Sequence, residues 1–345
     1  MAAEHSARAW RVATVAVTLG AGAAAIALAP PTGVRPSEAL AFLLFVGSSV
    51  HVASTGWFYT VPAVRAHMRR HPARYLWWPA ALLAGACAVA ATVPRTALYW
   101  LLVPYFGWQF WHYQKQNLGI VALTASSLRI APPSRTERRA LHTAGVAMIA
   151  GLLTRPSLLQ LPVRAILAPL WPAAAAGFAV AVVAGLWGLA RRAPTDRSAG
   201  YCTVLLTSLA FGLPVFLFGS PYAAVAGLTV AHGLQYLLLM AMLTAGSEHG
   251  AARLGRLAVL CNIALLGGAL LALASDQLAA RPAGRMLFGL FLGAVMAHFV
   301  IDAGLWRLRE QFPRTFLASR LPALMPPARH APAMSAADPS CAGIG

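Results

Sequence analysis

The chain has 345 residues, 59% hydrophobic and 10% charged, with a mean hydropathy of +0.65, which is the balance of a polytopic membrane protein rather than a water-soluble domain. Its formal net charge of +18 would suit nucleic acid, but the arginines stand at the ends of apolar runs. They report topology, and nucleic acid is excluded as a partner.

Apolar runs of about 20 residues, the length that crosses a ~30 Å hydrocarbon core, recur along the chain. The expected fold is an all-α transmembrane helix bundle of about ten spans, near residues 11–29, 37–61, 75–94, 97–124, 140–156, 168–190, 200–219, 221–245, 252–274 and 285–307. Arg8 and Arg11 precede the first run, and "ALA" at 27–29 has the look of a small-residue cleavage site; an uncleaved first helix is expected. Arginines then follow every second span: Arg65, Arg69, Arg70 and Arg74; Arg129, Arg135, Arg138 and Arg139; Arg191, Arg192 and Arg197. By the positive-inside rule those loops are cytoplasmic, the even-numbered helices all run inward, and both termini are cytoplasmic. The loop with Arg155 and Arg164 is discordant. The setting implied is multi-pass, in a bacterial-type inner (plasma) membrane.

Residues 157–167, "SLLQLPVRAIL", are too short to span and read as interfacial or re-entrant. Residues 1–320 form one transmembrane domain, and the Pro- and Ala-rich 321–345 reads as a disordered tail. Cys87, Cys202, Cys261 and Cys341 have no metal-ligand or redox spacing, and no nucleotide-binding glycine pattern or nucleophile elbow is present. The glycines of "GAGAAA" (20–25) and "LLGGAL" (265–270) suit close helix contacts.

The histidines carry the functional signal. His5 and His330 are in tails, His67, His71 and His249 in loops, and His142 at a helix mouth, whereas His51, His112, His232 and His298 fall inside the second, fourth, eighth and tenth spans. Counted from the span starts at 37, 97, 221 and 285 they lie 14, 15, 11 and 13 residues in, about 16 to 23 Å at ~1.5 Å per residue. Four imidazoles at one depth on parallel helices suit a metal site in a bundle core. The competing reading of each, taken singly, is a hydrogen-bonded packing residue.

A polar layer follows on the cytoplasmic side. Asp302 comes four residues after His298, Gln116 four after His112 and Gln235 three after His232, so each lies about a turn below its histidine. These three are the expected catalytic or supporting groups, with Asp302 as ligand, as an orienter of an imidazole, or as a partner of Arg307. Gln114 and Lys115 should point elsewhere; Lys115, the only lysine, reads as a snorkelling side chain, with an anion or Asp302 as the other possible partner.

Two haems would need paired histidines on one helix, one haem needs only two of the four, and no thiolates are arranged for copper or zinc. Four imidazoles beside a carboxylate suit non-haem Fe(II), with dioxygen and a lipophilic substrate as partners; zinc hydrolysis stays open. "HMRRH", His67 to His71, has the spacing of one membrane-desaturase box, but no HxxHH box follows and four arginines surround it, so a solvated loop is expected. With its isolated intramembrane histidines and a late His-x-x-x-acceptor pair, the chain resembles, over about 40–310, the bacterial Brp/Blh-type carotene-cleaving membrane oxygenases. That resemblance implies a non-haem iron dioxygenase with a long apolar substrate. The late pair here is His298 with Asp302, where the resemblance leads one to expect two histidines. From another class, a transporter or channel with a central His/Gln/Asp layer for a cation or proton is the alternative.

Overall fold

The computed structural model describes residues 2–31, 34–246, 250–279 and 281–326, and these contain helices and no strand. In chain order the helices are α1 (Ala2–Ala27), α2 (Glu38–Thr60), α3 (Pro62–Arg70), α4 (Ala73–Thr92), α5 (Arg95–Leu128), α6 (Arg135–Thr154), α7 (Ala168–Ala190), α8 (Ala199–Gly212), α9 (Tyr222–Ala245), α10 (Gly250–Leu278), α11 (Pro282–Leu305) and α12 (Gln311–Arg320). Among the described residues, α1 from Glu4, α2, α4, α7, α9, α10 and α11 are the seven long and apolar enough to cross a membrane. The protein is a multi-pass membrane protein.

The three other expected spans are helical but differ for visible reasons. α5 runs 34 residues, longer than the expected 97–124, and its polar residues around Gln114–Asn117 lower its hydropathy. α6 is capped by a reciprocal pair, Ser134 with Glu137, and opens on a charged first turn. The expected span at 200–219 is broken: α8 ends in a tight turn at Gly212, and a single turn, Pro214–Leu217, follows before the chain extends at Phe218. Proline has no amide hydrogen and crowds the preceding turn, which accounts for the break. Residues 157–167 form short turns, with Leu158, Leu159 and Leu161 buried. Beyond Arg320 the chain is still packed at Leu321 and Leu324; the rest of the expected tail, with His330 and Cys341, and also His249, lies outside the described residues.

Helix exteriors are apolar, as lipid requires. On α10 Leu265, Leu266, Leu270 and Leu273 are exposed, while Gly267 and Gly268 lie against Ala53 and Val50 of α2. Helices do not gain from a hydrophobic effect against one another in lipid, so close backbone approach and dispersion hold them. The tightest approach bears on the site. A Cβ on Gly233 of α9 would collide with the carbonyl of Gly47 in α2, and one on Gly47 would stand 2.5 Å from the Val230 Cα. Only glycine at both positions lets α2 and α9 meet there.

The arginine-bearing loops touch one another. Arg192 donates to the Glu137 carboxylate (2.9 Å) and to the carbonyls of Ala131 and Pro132, and Arg11 of α1 reaches Ser127 of α5 (2.9 Å). At a second such place Arg74 pairs with Glu310 (3.4 Å), and the ring of His67 stacks on Phe312 of α12 at 4.1 Å. His67 is therefore buried on a helix rather than in the solvated loop expected of HMRRH, because the amphipathic α12 covers it. Exposed His71 lies beside it, ring centres 4.7 Å apart.

Candidate metal centre

Four helices deliver one imidazole each: His51 from α2, His112 from α5, His232 from α9 and His298 from α11. Their ring centres form a closed circuit, His51–His232 4.9 Å, His232–His112 5.0 Å, His112–His298 5.0 Å and His298–His51 5.1 Å, each pair steeply inclined. A metal ~2.1 Å from each nitrogen sets adjacent ring centres about 4.6 Å apart on a square and about 5.3 Å apart on a tetrahedron; the circuit falls between. The expectation from depth counting, that the four histidines lie together, agrees with this geometry.

Local sequence explains how each ring reaches the centre. A π-helical turn, Val46–Val50, immediately precedes His51, and another, Tyr222–Ala226, opens α9 upstream of His232. Such wide turns re-aim the residues that follow and are frequent at functional sites. The Gly47–Gly233 contact then brings the His51 and His232 backbones together. Tyr113 stacks on His232 at 4.0 Å and Phe299 on His112 at 4.4 Å, which limits ring rotation.

The nitrogens tell what is missing from the protein's own bonding. Both nitrogens of His51, both of His232, Nε2 of His112 and Nε2 of His298 are buried without a hydrogen-bond partner; the carbonyls of Gly47 and Ser48 lie close to the His51 ring but off hydrogen-bond geometry. Buried polar groups are nearly always satisfied, so orphaned nitrogens on four neighbouring imidazoles, each ring able to turn one of them inward, fit an electrophile held between them. His51, His232 and His298 offer ligand atoms within 4.8 Å of one another, and so do His112, His298 and Asp302. The residues present fit a transition metal.

Around the imidazoles lies a hydrogen-bonded layer. The Thr55 hydroxyl bonds Nδ1 of His298 (2.7 Å) and the Tyr236 hydroxyl (3.0 Å), and Tyr236 donates to Oδ1 of Asp302 (2.9 Å). Oδ2 of Asp302 faces Nε2 of His298 at 3.7 Å and Nε2 of His112 at 4.0 Å. Asp302 thus belongs with the imidazoles; Arg307, its alternative partner, pairs instead with Glu310 at 2.9 Å. Gln116 lines a cavity with His112 and Asp302, and it and Gln235 also bridge helices. Gln116 donates to the His232 carbonyl and to Gln235 (both 2.9 Å), and Gln235 donates to Thr18 of α1 (2.7 Å), so the two amides tie α5, α9 and α1 together beneath the centre. Gln114 turns away to the Leu141 carbonyl, and Lys115 lies 3.2 Å from His142 and over the Trp111 ring, not at Asp302.

Tyr236 and Thr55 are the residues that sequence reasoning missed. The available signal was positional: a polar side chain follows each histidine at four residues, Thr55 after His51, Gln116 after His112, Tyr236 after His232 and Asp302 after His298, one helical turn along the same face.

Two cavities flank the centre. One of about 550 Å³ includes His112, Asp302 and Tyr236 in its wall, and an apolar one of about 170 Å³ reaches His51 from the side of Phe106 and Phe291; Phe299 lines both. No protein-family model, no curated protein and no solved structure matches the chain. The reading of function rests on the site alone.

Proposed function

We propose that this is a metal-dependent membrane oxygenase or related oxidoreductase, holding non-haem Fe(II) on His51, His112, His232 and His298 and acting on a lipophilic substrate. The observation that carries the proposal is the closed circuit of imidazoles with six unpartnered nitrogens, one edge of which opens into a cavity of about 550 Å³. Imidazole with a nearby carboxylate is a donor set suited to ferrous iron. When bound, the iron would supply activation of dioxygen.

The chain's own residues supply the rest. Thr55 at Nδ1 of His298 fixes that ring so that Nε2 faces the centre, the orienting role that outer hydrogen bonds play at metal sites. Tyr236 occupies one oxygen of Asp302 and leaves the other, at the cavity wall, to hold or return a proton. Phe299, Trp108 and Leu239 give that wall an apolar face. In the same reading the bundle has ten spans with both termini on the arginine-rich, cytoplasmic side; the mutual contacts of the arginine-bearing loops support it.

Elemental analysis of the protein purified in detergent tests the metal. About one iron per chain, lost together with activity on single His→Ala replacement at any of the four positions, is the expected result; full metal in two of those variants would refute the shared centre. A second reading, cation or proton transport, is favoured by the two cavities lying on different sides of the histidine layer. It predicts ion-dependent flux in liposomes without tightly held metal.

A further inference from the structure

The larger cavity has a shape and a charge pattern that speak to its occupant. Trp108, Trp111, His112, Lys115, Gly119 and Leu123 of α5 all line it. Their spacing marks one stripe of the helix, and from 108 to 123 is 15 residues, about 22 Å at ~1.5 Å per residue. The space is thus long relative to its volume of about 550 Å³, within the ~300–1,000 Å³ usual for small-molecule sites. It suits one extended chain.

Its walls are mostly apolar, but two cations on them are not neutralised. Lys115 and Arg309 are both exposed in the lining, and among the described residues neither has a carboxylate partner; Lys115 meets only neutral or aromatic groups, His142 and Trp111. Arg307, the third cation there, is occupied by Glu310. The one carboxylate in the lining, Asp302, sits with His112 at the imidazole centre. An anionic group would be drawn to the arginine end of the slot and repelled from the Asp302 end.

We infer that the substrate of the proposed site is a single-chain amphiphile with a carboxylate or phosphate head, held at the slot's arginine end by Arg309, its apolar chain lying along the α5 stripe past Lys115 to His112 and Asp302. The inference rests on the metal-centre reading for which end of the ligand reacts, but the binding it asserts does not need the metal.

The test uses the full chain in phosphatidylcholine nanodiscs, photolabelled with a diazirine analogue of palmitic acid or of hexadecanol, with labelled peptides mapped by mass spectrometry and iron measured on the same samples. Peptides containing residues 108–123 and 299–309 should be labelled by the acid at least tenfold more than by the alcohol. The double variant Lys115→Gln/Arg309→Gln, at two exposed positions, should lose that preference while keeping its iron. Excess unlabelled palmitate or a lysophosphatidic acid should suppress the label, and phosphatidylglycerol in the disc should not. Equal labelling by acid and alcohol, an unchanged preference in the double variant, or suppression by phosphatidylglycerol as strong as by palmitate would each overturn the inference, the last by assigning the anion site to a bilayer lipid. Acid-selective labelling of a protein without iron would instead leave the inference standing and remove the metal-centre reading.

Discussion

His232→Leu separates a metal centre from an unusual packing cluster, because the two give opposite responses. His232 is fully buried, and neither of its nitrogens has a hydrogen-bond partner. A neutral imidazole has one donor and one acceptor, and leaving a buried polar group unpaired costs about 1–3 kcal/mol. Leucine removes both orphaned groups and forfeits the stacking with Tyr113, which is worth about 0.5–1.5 kcal/mol. In metal-free protein the variant should therefore be more stable than the parent, by roughly 0.5–5.5 kcal/mol. Ferrous iron at a thousand times its dissociation constant adds about 4 kcal/mol to the parent and nothing to the variant, which lacks a ligand. The assay is the unfolding midpoint in detergent for both proteins, stripped by chelator and then titrated anaerobically with Fe(II), Mn(II) and Zn(II). A parent unmoved by every metal, with the variant more stable throughout, would refute the metal centre and leave four histidines packed at a cost.

Asp302→Asn should keep iron and lose about 10- to 100-fold in turnover, the usual loss for a group just outside the ligands, and Tyr236→Phe should act in the same direction, since it releases Oδ1 of Asp302; unchanged turnover in both removes the pair from the mechanism. Gly233→Ala forces a methyl into the Gly47 carbonyl, so it should destabilise by about 1–3 kcal/mol and lower iron content without touching a ligand; a fully loaded variant contradicts the role given to that contact. A reporter fused after Arg320 should be active only as a cytoplasmic type, and a periplasmic signal there overturns the expected span count. Burial against Phe312, then the charges of His71 and Arg70, hold the His67 pKa below its ordinary value. The folded state thus resists protonation that the unfolded chain accepts, and stability should fall as pH drops from about 7 through 6.5. His67→Phe should flatten that dependence, which thermal unfolding across pH measures.

The depth of the four histidines could be counted from the sequence because helical rise is constant, and so could Asp302, one turn on. Azimuth could not be counted, so the sequence placed Gln116 and Gln235 one turn below their histidines but not the hydrogen bonds by which they join α5, α9 and α1. Tyr236 and Thr55 escaped for a related reason: a tyrosine or threonine in an apolar span carries no charge to draw notice, and only its distance of four from a histidine marks it. The break near Pro214 was masked by the apolar run around it, and the burial of His67 depends on Phe312, which arrives from α12 some 240 residues later.

Phe299 follows His298 directly, stacks on His112 and lines both cavities. One phenyl ring is thus the partition between a slot and a smaller apolar chamber, with the imidazole circuit at the threshold. On the proposed reading, in which an extended chain lies in the slot, such a partition would work as a ruler: the ring would decide how much of the chain passes beyond the reactive point, and so which carbon stops there. Trimming it to alanine would free the His112 ring and, on the same reading, move the mark, shifting the position of attack along the same molecule.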